Sequence, residues 1–152
     1  MDYFSILIVD DEVDFVETLV KRLRKRNINT VGTHSGEDAL ALMEKQRFDV
    51  VVLDVKMPGG IDGIETLRKM KKVQPLAEVV LLTGHASVET SIEGMKLGAF
   101  DYLLKPIKLD ELLLKLGEAF ERKTSHDHKI RKAQIRELIR FPGRVFGQEK
   151  EP

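Results

Sequence analysis

Apolar residues occur as short unbroken runs separated by longer stretches in which they recur every third or fourth position, and this rhythm repeats five times along the chain. Unbroken Val/Ile/Leu runs mark strands buried on both faces, the habit of parallel sheets, whereas the wider spacing marks helices with one buried stripe. The first strand reads from Phe4 to Asp10, and the helix after it buries Val16, Leu19, Val20 and Leu23. A weaker second strand runs from Thr30 to His34. Ser35 with Asp38 then resembles a capping box, opening a helix that buries Ala39, Leu42 and Met43. The third strand is Asp49 to Asp54. Met57-Pro58-Gly59-Gly60 after it is a loop, because proline removes a donor and paired glycines add backbone freedom, and Asp62 with Glu65 starts the third helix. Val79 to Thr83 forms the fourth strand, and the helix after Ser87 carries Val88, Ile92 and Met95 until Gly98 ends it. The fifth strand, Tyr102 to Lys105, stops at Pro106, and Leu109, Leu112, Leu113, Leu116 and Phe120 give the last body helix its core face.

Alternating strands and helices require crossover connections, which are right-handed, and five such units make a doubly wound three-layer α/β sandwich. The predicted strand order is 2-1-3-4-5, with its topological switch between strands one and three. Beyond Phe120 the pattern weakens. Ile130 to Ile139 continues or restarts a helix, but the segment is heavily charged and runs into Phe141-Pro142-Gly143. The chain therefore divides into a body, residues 1–122, and a charged C-terminal helical extension or linker, residues 123–152.

The unusual polar residues all end strands on one edge of this sheet. Asp10 and Asp11 follow strand one, Asp54 ends strand three, Thr83 ends strand four and Lys105 ends strand five. Two unit charges about 4 Å apart repel by ~1 kcal/mol in bulk water and by ~4 kcal/mol at a protein-like effective dielectric, so three converging carboxylates demand a cation. A hard divalent ion such as Mg2+ suits an all-oxygen site and leaves positions for water and a phosphoryl group. With a hydroxyl and an ammonium alongside, the set suits phosphoryl transfer, and Asp54 is the candidate nucleophile.

Composition narrows the functional classes. The chain has 152 residues, 42% of them hydrophobic, enough for one ordinary domain. Basic and acidic residues balance at 25 each, which argues against coating nucleic acid or membrane by bulk charge. From Glu121 onward 9 Lys/Arg face 5 Asp/Glu, so the tail is mildly basic and the body mildly acidic. That tail lacks a helix-turn-helix pattern and interleaved aromatics, so direct nucleic-acid binding is not expected. Absence of cysteine excludes disulfides and thiolate metal sites. No run approaches the length of a membrane span and the first residues are acidic, so a cytoplasmic protein is expected.

Four motifs, in order, carry a resemblance: Val9-Asp10-Asp11-Glu12, Leu53-Asp54-Val55-Lys56-Met57-Pro58, Leu82-Thr83-Gly84 and Tyr102-Leu103-Leu104-Lys105-Pro106. From about Phe4 to Phe120 the chain resembles the flavodoxin-like receiver domain of two-component response regulators. The resemblance implies that Asp54 accepts a phosphoryl group from a phosphohistidine on a sensor histidine kinase. Asp10, Asp11, Asp54 and the Lys56 backbone carbonyl would hold Mg2+, while Thr83 and Lys105 bind phosphoryl oxygens. It further implies that Thr83 and Tyr102 switch on phosphorylation, remodelling the face of helix four, strand five and helix five toward a second copy or an output domain. A cis peptide before Pro106 is implied as well. Catalysis would be limited to the protein's own phosphorylation and dephosphorylation. One departure is visible: Gly59 and Gly60 both intervene before Ile61-Asp62-Gly63, which makes the loop one residue longer than the family's usual form. Lys56 and His85 flank the attack line and are expected to set phosphoryl lifetime by admitting or excluding water.

Each feature also has a plainer reading. Tandem aspartates before a helix often only cap it, Thr83 alone is an ordinary strand-end hydroxyl, Lys105 alone a solvated charge, and Tyr102 equally a core ring. His126 and His128, one residue apart, do not share a helix face and form no metal site by themselves. Two other functions compete: a phosphohydrolase of the haloacid dehalogenase type, which places Asp-x-Asp at strand one where this chain has adjacent aspartates, and an adaptor independent of phosphate. The charged tail and Gly98-Ala99-Phe100-Asp101-Tyr102 also look like receivers that precede ATPase transcription activators.

Overall fold

The computed structural model describes residues 4–84 and 88–140. His85 and Ser87, and the Phe141-Pro142-Gly143 stop, lie outside the described residues. The elements alternate throughout: β1 (Ser5–Val9), α1 (Val13–Arg24), β2 (Asn29–Thr33), α2 (Gly36–Met43), β3 (Val50–Asp54), α3 (Gly63–Val73), β4 (Glu78–Thr83), α4 (Val88–Lys96), β5 (Asp101–Leu104) and α5 (Leu109–Arg140). All strand pairs are parallel and the sheet order is β2-β1-β3-β4-β5, as the sequence predicts.

Side chains alternate across a strand, so each apolar run feeds two cores. Leu7, Val9, Val51, Leu53, Val79 and Leu81 pack with Ala39, Met43, Leu67 and Met70 on the α2/α3 side. Ile6, Ile8, Val50, Val52, Val80 and Leu82 pack with Val16, Leu19, Leu23, Leu112 and Leu116 on the α1/α5 side. This two-sided burial is why the strands carry no polar alternation.

Register places the chemistry. Val9 pairs with Leu53, Asp54 with Leu82, and Thr83 with Leu104. The residues that end or follow these strands, Asp10, Asp54, Thr83 and Lys105, therefore reach one edge together. Behind them the helices start as the sequence indicates: the Ser35 hydroxyl accepts the Asp38 N–H at 3.0 Å, and the Asp62 carboxylate accepts the Glu65 N–H at 2.9 Å.

Two helices differ from the simplest reading of their apolar residues. α4 buries Ser91 and Gly94, whereas Ile92 and Met95 are exposed. α5 does not restart after Phe120 but runs unbroken for 32 residues, roughly 48 Å at the helical rise. Beyond its core face it stays attached by charge: Arg122 Nε lies 3.0 Å from the buried Glu78 carboxylate, and Lys123 Nζ lies 3.0 Å from Asp49, which also accepts the Ser5 N–H. Phe120 stacks at a tilt on Phe4, with centroids 4.3 Å apart. A further polar clamp comes from Gln74, which donates to the Met43 and Gln46 carbonyls and accepts the Phe48 N–H, satisfying groups left open where α2 ends.

Gly63 begins α3 directly behind the strand that carries Asp54, and its N–H bonds the Val55 carbonyl at 3.0 Å. A Cβ there would collide with the Asp54 carbonyl oxygen and the Val55 backbone, which cannot turn aside as a side chain can. Gly63→Ala is expected to cost about 2–3 kcal/mol in urea unfolding with an unchanged m value; a loss below about 0.5 kcal/mol would refute this reading of the contact.

Candidate functional site

Asp10, Asp11 and Asp54 each bring a carboxylate oxygen into a group lying within 4.8 Å of one another. Asp10 is fully buried, Asp54 is 6% exposed and Asp11 is open to solvent. Hard oxygen donors at this spacing fit Mg2+, with the solvent-facing side free for water and a phosphoryl oxygen.

The ammonium of Lys105 faces the cluster. It donates to Asp10 Oδ2 at 2.8 Å and to Glu12 Oε1 at 3.0 Å, lies 3.6 Å from Asp54 Oδ1, and sits over the Phe15 ring at 5.2 Å. The Lys105–Pro106 peptide is cis, as the resemblance implies. The other oxygen of Asp10 accepts the Glu12 N–H at 2.9 Å, so Asp10 is held from both sides.

Burial pushes the Asp54 carboxyl up to about 6, the Asp10 charge adds to this, and Lys105 and the Lys56 amide oppose it. Asp10 also titrates above the ordinary aspartate range, because burial outweighs the hydrogen bonds from Lys105 and the Glu12 amide. Burial alone would lower Lys105, but Asp10, Glu12 and Asp54 hold it protonated beyond the ordinary lysine range. The result is a pocket short of positive charge, with one fixed ammonium serving several acids.

The remaining sequence-predicted residues take different positions. Thr83 is buried at the end of β4, and its hydroxyl donates to the Gly84 carbonyl at 3.0 Å rather than to a carboxylate. Tyr102 is half-buried on β5 against the α2/α3-side core. Lys56 turns its side chain to solvent directly after Val55. Sequence reasoning passes over Glu12 as a site residue, although it is the third acid in a row and bonds Lys105 directly.

A model of the response regulator receiver domain matches residues 6–117. The chain belongs to this family. It is 39% identical over 129 residues to the transcriptional regulatory protein ZraR of Escherichia coli K12, a match covering 85% of this chain and 28% of that protein. Among solved structures, the receiver domain of NtrX from Brucella abortus aligns with a TM-score of 0.73 at 34% identity, covering 76% of this chain and 98% of that one. A response regulator receiver domain protein from Clostridium thermocellum aligns at 0.75 and 32% identity, covering 80% and 97%. The chain thus spans about a quarter of the length of the regulators it matches and nearly all of the isolated receivers. Family membership favours the receiver reading over the phosphohydrolase one. Among the described residues no helix is long and apolar enough to cross a membrane.

The raised Asp54 carboxyl makes a signed prediction. Well below the ordinary value of 3.8 the group is protonated in both folded and unfolded chains. Between the ordinary value of 3.8 and about 6 the unfolded chain ionises first, so folding stability falls as pH rises, by about 3 kcal/mol in all. Without divalent ions, Asp54→Asn is expected to gain about 2–3 kcal/mol on the parent protein between pH 4 and pH 7. Parallel pH–stability curves for the two proteins would contradict this.

Proposed function

We propose that this receiver domain is phosphorylated on Asp54 by a sensor histidine kinase, with Mg2+ held by Asp10, Asp11, Asp54 and the Lys56 carbonyl. One observation carries the reading: carboxylates from two adjacent strand ends gather within 4.8 Å against a single ammonium. A carboxylate oxygen of Asp54 forms the new O–P bond as the N–P bond of phosphohistidine breaks, and the departing imidazole takes up a proton. Mg2+ held by these residues would supply charge neutralisation for the transferring phosphoryl group. Lys105 moves from its carboxylate partners toward a phosphoryl oxygen, and the Thr83 hydroxyl leaves the Gly84 carbonyl for another. Tyr102 follows that movement inward. Only this self-directed chemistry is assigned to the domain.

The switched surface is the α4-β5-α5 face. Exposed Ile92 and Met95 on α4, Leu104 on β5 and Leu114 on α5 supply apolar area suited to a second copy or an output domain. The unit ends near residue 122, and residues 123–152 form the extension that links it to its output. ZraR, named as a transcriptional regulatory protein, is much longer than the matched stretch, and contact with nucleic acid is not assigned to this chain.

Incubation with acetyl phosphate and Mg2+ is expected to add one phosphoryl group by mass, and Asp54→Asn to abolish it; undiminished labelling of that variant would overturn the assignment. Lys105→Ala should slow uptake by about a hundredfold, since a preorganised charge on the transferring group is lost. Lys56→Ala is expected to change the rate of hydrolysis of the phosphorylated protein by several-fold at constant phosphorylation rate. Equal decay of parent and variant would remove Lys56 from control of phosphoryl lifetime.

A further inference from the structure

The β3–α3 connection is where this chain departs from the usual length, and the structure shows how the additional residue is accommodated. The loop is anchored at its base by the Gly63 N–H to the Val55 carbonyl, and Met57 is buried beneath it. At its outer end Gly59 takes a positive φ of 94°, open to solvent, and Gly60 follows. The Ile61 N–H then finds no partner inside the loop. It donates instead across the molecule to Glu37 Oε2 on the first turn of α2, at 3.0 Å.

Glu37 is suited to this contact in three ways. Its carboxylate lies so close to Gly60 that a Cβ there would sit 2.9 Å from both oxygens, so a residue with no side chain lets the two approach. The turn that carries it packs closely on α3, because a Cβ on the neighbouring Gly36 would collide with the Thr66 hydroxyl. That hydroxyl in turn bonds the Asp62 carbonyl at 2.7 Å. The Ile61 N–H also holds the Glu37 carboxyl below the usual range, as expected of an anionic acceptor.

We propose that Glu37 is a positioning residue for the divalent-ion site, acting through the latched β3–α3 loop on the backbone at Lys56. The proposal rests on the metal site assigned above. Lys56 lies between Asp54 and the buried Met57, so the far end of the loop sets how firmly its carbonyl is presented. Groups that orient metal ligands typically govern affinity by 10–100-fold, and one acting through a short loop is expected at or just below the low end of that range.

Calorimetric titration of the full chain with Mg2+ and amide exchange at Ile61 test this together. Glu37→Ala is expected to weaken Mg2+ binding about fivefold and to speed Ile61 exchange about tenfold. Glu37→Gln, which removes the charge but keeps an acceptor, should stay within about twofold of the parent on both readouts. Gly60→Ala, which pushes the carboxylate away, should resemble Glu37→Ala. Mg2+ affinity within about twofold of the parent in Glu37→Ala overturns the proposal whether or not Ile61 exchange changes. Equal weakening in Gln and Ala variants also overturns it, since charge rather than the latch would then be responsible. A parent chain that binds no Mg2+ refutes the metal site itself, whereas normal binding by the parent with an indifferent Glu37→Ala refutes only the latch.

Discussion

Lys105 is the sole ammonium ion-paired with Asp10, Glu12 and Asp54 among the described residues, and the pocket is built around that shortage of positive charge. Two of these acids are buried, where an uncompensated carboxylate is costly, and one lysine cannot neutralise them all. The fold keeps them together because they end strands whose interiors are locked on both faces by apolar side chains. Separating the acids would mean breaking register in a fully buried sheet, and a one-residue slip would exchange the two cores. The site therefore holds its strain as titration, with Asp54 pushed up to about 6, and is relieved by any hard cation that joins Lys105. The same imbalance leaves the Asp54 carboxylate short of countercharge at the mouth of the site.

This much was legible in the sequence because it follows from two rules that act along the chain. Continuous apolar runs announce a parallel sheet, and polar residues that end such runs must meet at its carboxyl edge. The strand-end positions of Asp10, Asp54, Thr83 and Lys105 follow in this way, and the sheet order with them. What was not legible depends on contacts between segments that no local pattern joins. Glu37 reads as a first-turn acid of α2, and nothing near it in sequence says that its partner is the Ile61 amide. Gln74 reads as a helix-end polar residue, yet it satisfies three backbone groups on the α2–β3 connection. On α4, Val88, Ile92 and Met95 show a helical spacing that looks like a core stripe; burial instead follows Ser91 and Gly94, because small residues let that helix sit close to the sheet.

The unbroken course of α5 follows from the same kind of long-range pairing. Charged residues after Phe120 weaken the apolar stripe, so a pattern reading stops the body helix there. In three dimensions those charges have partners on the opposite edge of the sheet: Arg122 meets buried Glu78 at the start of β4, and Lys123 meets Asp49 just before β3. Arg122 also lies 5.4 Å over the Phe100 ring, just before β5. A buried carboxylate such as Glu78 adds little net stability when paired but is expensive to strand, so these contacts act mainly to hold the helix in one place.

The geometry makes α5 a rod held at its start and at its middle. Its first turn follows the Lys105–Pro106 junction beside the acid cluster, and its middle is pinned to the far edge of the strands that carry Asp54, Thr83 and Tyr102. From Leu109 to Lys123 the helix is packed on the sheet, and a packed helix does not bend freely. The exposed residues Leu114, Ile130 and Ile135 lie along this one rod. The acid cluster and the start of α5 are therefore separated only by the short junction that begins with Lys105 and Pro106.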